Sequence, residues 1–272
     1  MGLLDTTLVL ELLLLGCCTG FLAGLLGIGG GMLMVPFLTV IFSNRGVEAG
    51  LALKMAVATA MATILFTSIS SVRAHHARGA VRWDLVKTLA PGIVLGGLLS
   101  GAGLFALIKG HALGLLFAGF VGFSATQMLL DRKPKPGRQM PGPVGATAAG
   151  GLIGLVSGLV GAGGAFISVP FMAWCNVAIH HAVATSAALG FPIALANTTG
   201  YVIAGWGLPP PLPGTLGYLS LPALGVLALA SVAMAPLGAR TAHRLDTKPL
   251  KKVFAVLLYG LAGFMVWRML RG

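Results

Sequence analysis

Two clusters of small residues, Gly29-Gly30-Gly31 and Gly163-Gly164-Ala165, stand at the same distance before a Val-Pro-Phe tripeptide. Adjacent glycines let main-chain amides approach a ligand closely, and a helix starting at each cluster turns its partly positive end toward the break. The chemistry this serves is capture of an anion by backbone N–H groups rather than by charged side chains. Glycine also lets membrane helices pack closely, and that is the use expected for most of the 41 glycines. The identical spacing to Pro36 and Pro170 sets these two clusters apart.

Hydroxyl and amide groups recur nearby. The tetrapeptide Ala-Val-Ala-Thr occurs at 56–59 and again at 182–185, so Thr59 and Thr185, with Ser186 beside the latter, occupy equivalent positions. Their hydroxyls could donate to a substrate oxygen, or bond back to a helix carbonyl. Asn197 leads the most polar cluster of the second half, Asn197-Thr198-Thr199, and polar groups inside a span face protein or a cavity. The substrate-binding set expected from the sequence is therefore Gly29, Gly30, Gly31, Thr59, Gly163, Gly164, Ala165, Thr185, Ser186 and Asn197.

Other reactive residue types point away from catalysis. His75-His76 and His180-His181 are adjacent pairs without nearby carboxylates, which favours an interfacial place at helix ends over metal ligation. Cys17, Cys18 and Cys175 show neither a redox nor a metal spacing and read as packing residues. No catalytic residue, metal or cofactor is expected. A serine hydrolase built on Ser157 with His180 or His181 is a remote alternative, because Gly-Leu-Val-Ser-Gly lacks the pattern of known intramembrane serine proteases. Glu11 is the one acid in a strongly apolar stretch, so neither a proton nor a sodium ion is assigned as a coupling ion. Lys54 begins a span, where it snorkels to headgroups or attracts anions.

Charge dictates the elements that must position these groups. Only 9% of the 272 residues are charged, and no Asp, Glu, Lys or Arg occurs from Gln139 to Ala239, a run that holds several spans of about 20 residues. The net charge of +12 gathers in short segments between apolar ones, so it sets membrane orientation and does not imply nucleic acid. The chain also repeats itself. Gly24–Leu38 aligns without gaps on Gly158–Met172 with eight of fifteen residues identical, and Pro91 pairs with Pro222 further on. The expected organisation is one membrane domain, with repeat one at 1–131, a basic cytoplasmic linker at 132–143 and repeat two at 144–272.

Loop charges choose between two topologies. If both glycine-broken segments cross fully, ten Lys/Arg fall on one side and eight on the other; if both fold back to their starting face, the division is thirteen to five. The second pattern predicts an all-α polytopic membrane protein in which each repeat is a re-entrant helical hairpin plus three transmembrane helices. An odd number of crossings inverts the second repeat, brings the hairpin tips together at mid-membrane, and leaves both termini extracytoplasmic.

The doubled glycine string with Val-Pro-Phe, the Ala-Val-Ala-Thr segments and His-His-Ala-Arg-Gly-Ala-Val-Arg-Trp-Asp at 75–84 together resemble the sulfite exporter TauE/SafE family, also known as the toluenesulfonate uptake permease family. The resemblance covers nearly the whole chain. It implies transport of a sulfur-containing oxyanion or organosulfonate, such as sulfite or sulfoacetate, across the bacterial cytoplasmic membrane, in a direction it does not fix. The partners implied are that small anion and the lipid bilayer, with homo-oligomerisation left open. A non-transporting membrane scaffold is the alternative. The sequence departs from the family pattern at His180-His181 and in the proline-rich stretch 207–218.

Overall fold

The computed structural model describes residues 5–26, 30–130, 137–242 and 247–271. They form ten principal helices, numbered here as two sets of five. The first set is α1 (Thr6–Leu26), α2 (Gly31–Ser43), α3 (Ala49–His76), α4 (Trp83–Leu107) and α5 (Gly110–Leu130). The second is α6 (Pro143–Val160), α7 (Ala165–Trp174), α8 (Ile179–Ala204), α9 (Leu221–Ala242) and α10 (Thr247–Arg271). Among the described residues, eight helices are long and apolar enough to cross a membrane, and the two short apolar ones, α2 and α7, hold equivalent places in the two sets. The chain is a polytopic helical membrane protein, as its charge distribution predicts.

Local signals fix the helix ends. Glu48 caps α3, its two carboxylate oxygens accepting from the amides of Gly50 and Leu51 at 2.9 and 3.0 Å. Pro143 opens α6, where its missing N–H costs nothing, and Gly161 closes that helix at φ 68°, a conformation that favours glycine. Helix α4 contains a π-helical stretch over Leu99–Leu104. A two-stranded turn, β1 (Thr215–Leu216) with β2 (Leu219–Ser220), leads into α9.

Small residues let helices from opposite sets lie against each other with backbones nearly touching. On α1, an added Cβ at Gly20 would stand 2.5 Å from the Ser231 Cα of α9, and Gly238 of α9 presses on the Phe21 carbonyl. On α4, Gly92 presses on the Thr147 carbonyl of α6, while Gly150 and Gly154 of α6 press on the carbonyls of Leu89 and Ile93. Between lipid-soaked helices there is little hydrophobic drive to associate, so close packing of this kind carries much of the stability. The first helix of each set is thus paired with the fourth helix of the other.

The chain doubles back after α1. Leu25 lies beside Gly238 near the end of α9, whereas Gly30 lies back beside Thr19, where its added Cβ would be 3.1 Å from the Thr19 carbonyl. At the far end of α2, Arg45 pairs with Glu11 of α1 at 2.9 Å, so α2 ends near where α1 began. The second set repeats this. The amides of Gly137 and Arg138, before α6, donate to the Trp174 carbonyl at the end of α7 at 3.1 and 3.3 Å, and the Arg138 guanidinium stacks 4.9 Å from the Trp174 ring centre. The charge-free stretch 12–44 suggests a break near its middle, yet the legs are unequal, with 21 residues in α1 and 13 in α2. A leg of 21 residues is about 31 Å long, enough to cross, and the 13-residue leg, at about 20 Å, covers only part of the way back.

Candidate functional site

The two glycine clusters lie at the starts of the short helices α2 and α7. Gly164 precedes α7 at φ 78°, a left-handed conformation costly to any side chain, so only glycine turns the chain here without strain. In α7 the amides of Ile167 and Ser168 return to the Gly164 carbonyl at 3.0 and 2.8 Å, and in α2 those of Leu33 and Met34 return to the Gly30 carbonyl at 3.2 and 3.1 Å. The amides before these, at Gly31 and Met32 and at Ala165 and Phe166, have no acceptor in their own helix. Gly29 lies outside the described residues.

The tips of the two glycine turns meet. Gly31 presses on the Gly161 carbonyl, and Ile64 of α3 wedges between the turns, its Cδ1 3.2 Å from the Cβ position of Gly31 and 3.5 Å from that of Gly163. Ser68, one turn further along α3, faces Gly190 of α8 at 3.5 Å, and the Gly163 carbonyl is 3.9 Å from the same point. Gly30, Gly31, Gly164 and the amide of Ala165 therefore belong to one region in which α3 and α8 close the sides.

The hydroxyls expected to touch substrate have protein partners. Thr59 Oγ1 accepts from the amide of Ser220, the residue before α9, at 3.2 Å, and Thr185 Oγ1 accepts from the amide of Arg82, the residue before α4, at 3.1 Å. Each of these bonds joins one set of helices to the other. Ser186 shares a 2.7 Å hydrogen bond with Ser168 of α7, whose hydroxyl also donates to the Gly164 carbonyl at 2.9 Å, so Ser186 reaches the glycine turn through one intermediary.

Asn197 is fully buried and presents an acceptor. Its amide nitrogen donates to the carbonyls of Ile193 at 2.8 Å and Gly154 at 3.4 Å, which fixes the side-chain orientation and leaves Oδ1 without a partner. Oδ1 and Ser100 Oγ, also unpartnered, both lie against Gly158, whose carbonyl accepts from the Tyr201 hydroxyl. Ser100 belongs to the π-helical stretch of α4, a kind of irregularity found often at functional sites. Ser157, which the sequence suggested only as a remote nucleophile, is a further candidate binding group. Its hydroxyl is fully buried, has no partner and stands 3.2 Å from the Cβ position of Gly164. A hydroxyl one residue from a packing glycine carries no signal of its own until the fold turns it toward the α7 turn.

The alternative use of Ser157 with a histidine is not assembled. His181 Nδ1 lies 2.7 Å from the Ala80 carbonyl in the α3–α4 loop, at the start of α8, roughly 24 Å along that helix from Asn197. Asn197 is the part of α8 that meets Gly158, next to Ser157. His76 accepts from the Trp83 indole at 3.1 Å, so both histidine-bearing helix ends meet the same loop. Cys175 is buried at the end of α7 with its thiol pushed up by burial, in keeping with a packing role.

Comparison with known proteins accords with this architecture. Residues 12–265 match the model of the family described as sulfite exporter TauE/SafE. The chain is 34% identical over 257 residues to a probable membrane transporter protein of Haemophilus influenzae, covering 94% of this chain and 97% of that one. It is 27% identical over 271 residues to a probable membrane transporter protein of Methanocaldococcus jannaschii, covering 94% of each. No solved structure matches. The chain belongs to the sulfite exporter TauE/SafE family of membrane transporters.

Proposed function

We propose that the protein is a secondary transporter that carries a sulfur-containing oxyanion or organosulfonate, held between the glycine turns that open α2 and α7. The observation that carries this reading is the meeting of two helix starts, each with amides lacking intrahelical acceptors, around Ile64 and Ser157. Main-chain donors suit an anion that must also leave, because they place no buried charge that would need a counter-ion once it has gone. The expected ligating groups are the amides of Gly29, Gly30, Gly31, Gly163, Gly164 and Ala165, joined by the Ser157 hydroxyl. Thr59, Thr185 and Ser186 support the site by holding α9, α4 and α7. Asn197 turns an acceptor toward its surroundings, and acceptors repel anions, so it shapes the site without donating to the substrate.

The same contacts support two inverted repeats, α1–α5 and α6–α10. In this reading α1 and α6 are the long legs of hairpins whose short legs, together with residues 44–48 and 175–178, bring the chain back toward its starting faces; three full crossings follow in each half, and an odd number inverts the second half. Arg45, Lys54, Lys109, Arg268 and Arg271 then share the face of the two termini, and the remaining Lys and Arg share the other. The positive-inside rule makes the latter face cytoplasmic in a bacterial inner membrane and the termini extracytoplasmic. Two between-half bonds, Thr59 to the start of α9 and Thr185 to the start of α4, lie at opposite faces and are suited to release in turn as access alternates.

The test is flux in proteoliposomes loaded with sulfite, sulfoacetate or taurine, with Gly164→Val and Ser157→Ala beside the wild type. Loss of flux in a Gly164→Val protein that still elutes as a single folded species supports the site. Wild-type flux in that variant would remove it.

A further inference from the structure

A cationic cavity lies away from the glycine turns, on the face of the two termini. It is a cavity of about 500 Å³ where the starts of α3 and α5, the end of α10 and the proline-rich segment before α9 come together. Lys54, Lys109, His111 and Arg268 line it together with the apolar surfaces of Tyr218 and Pro209.

Lys54 makes this more than a charged rim. The residue is only 9% exposed, and its ammonium donates to the Ala106 carbonyl at 3.0 Å while standing 5.5 and 5.9 Å from the ring centres of Tyr218 and Phe105. An ammonium has three donors, and that bond uses one. Among the described residues no carboxylate pairs with Lys54, Lys109 or Arg268. The one acid in the cavity, Glu48, caps α3 with both oxygens and forms no ion pair among the described residues, so its single negative charge leaves the cavity with a net excess of cations. Lysines at a membrane interface ordinarily snorkel outward, whereas this one is held by a carbonyl beside two aromatic rings.

We propose that this cavity is a capture site for organic anions, meaning a sulfonate or carboxylate carried on an apolar body. Lys54 and Arg268 would meet the anionic group and the Tyr218–Pro209 wall the body, in a volume typical of small-molecule sites and larger than a bare oxyanion needs. The place in the fold gives the site a route inward. Lys54 lies five residues before Thr59 on α3, and Tyr218 two residues before Ser220, so the cavity floor is built from the two segments that the Thr59–Ser220 bond joins. The proposal deepens the transport reading by selecting organosulfonates over inorganic sulfite, and it rests on that reading only for what becomes of the captured anion.

Equilibrium binding to the full chain in neutral detergent tests it, with benzenesulfonate, sulfite and phosphatidylglycerol as probes, read by thermal shift and calorimetry. Benzenesulfonate is expected to bind saturably and more tightly than sulfite, and the rim variant Lys109→Gln/Arg268→Gln to weaken it roughly tenfold, the effect of one lost charged hydrogen bond. Lys54→Met should weaken it further, and the rim variant stands alone if Lys54→Met does not fold. Equal affinity in wild type and rim variant would overturn the proposal, as would sulfite binding as tightly as benzenesulfonate. A Lys54- and Arg268-dependent response to phosphatidylglycerol alone would assign the cavity to lipid headgroups and also overturn it. Binding that persists in Gly164→Val separates the two readings: capture then survives even where flux is lost.

Discussion

Gly164 is the residue whose replacement speaks most directly to the site, since its φ of 78° and the pressure of Ile193 leave no room for a side chain. Gly164→Ala is expected to lower stability by about 1–2 kcal/mol through backbone strain, with Gly164→Val worse, and substrate-dependent stabilisation in a thermal-shift assay should fall in the same order. Ser157→Ala separates binding from folding. It removes a buried hydroxyl that has no partner, so stability should hold or rise while the response to anion declines, and an undiminished anion response would discard Ser157 as a ligand. Thr59→Val and Thr185→Val each orphan a main-chain amide, at Ser220 and Arg82, and each should cost about 1–3 kcal/mol in unfolding free energy. The two bonds are equivalent in the two sets of helices, but the larger loss is expected at Thr59, whose bond is buried, and the smaller at Thr185, where water reaches the exposed Arg82. The pairing of Thr59 with Thr185 was legible in the repeated tetrapeptide. What they bond to was not, because Ser220 and Arg82 lie 161 and 103 residues away along the chain.

Two kinds of contact hold the elements, and they differ in what a substitution does. Gly92, Gly150 and Gly154 set the distance between α4 and α6 through backbone contact, so a leucine at any of them must separate the helices. Gly119 of α5 has nothing within 4 Å of its Cβ position and is the matched control. The expected outcome is loss of a monodisperse peak in fluorescence size-exclusion chromatography for Gly92→Leu and Gly154→Leu, and retention for Gly119→Leu. The Glu11–Arg45 pair ties the ends of the first hairpin, with the arginine side chain 16% exposed and the carboxylate 39%. Glu11→Gln alone leaves the half-buried arginine uncompensated and should lower the melting temperature more than the paired Glu11→Gln/Arg45→Gln change. Sequence patterning found the helices and both breaks. It did not find that α1 is long enough to cross before turning back, because the unequal legs depend on where α9 packs along α1, through Gly16, Gly20 and Gly238.

For the whole molecule the claim open to test is orientation. In a protein with Cys17, Cys18 and Cys175 replaced, Lys109→Cys should react with an impermeant maleimide added outside intact cells, and Gly79→Cys only after permeabilisation. The reverse pattern would turn the molecule over in the membrane and place the Lys54 cavity in the cytoplasm. The contacts joining the first helix of one set to the fourth of the other mean that neither half has a complete interface alone. Separately expressed halves are therefore expected to associate only when produced together, which co-purification on a single tag would show.

The sequence by itself determined that this chain lives in a membrane, that it is doubled, and that two glycine breaks with a shared spacing to proline are its irregular points. Those properties are local or periodic: apolar run length, charge placement and self-similarity are all read along the chain. Only the tertiary structure decided that the two breaks touch, that Ser157 faces one of them, that the Thr59 and Thr185 hydroxyls are bound to the opposite set, and that Lys54 is drawn inward beside Tyr218. Each of these depends on the crossing of helices far apart in sequence, where a rotation of about 100°, one residue's worth, decides whether a hydroxyl or an ammonium meets lipid, backbone or a cavity.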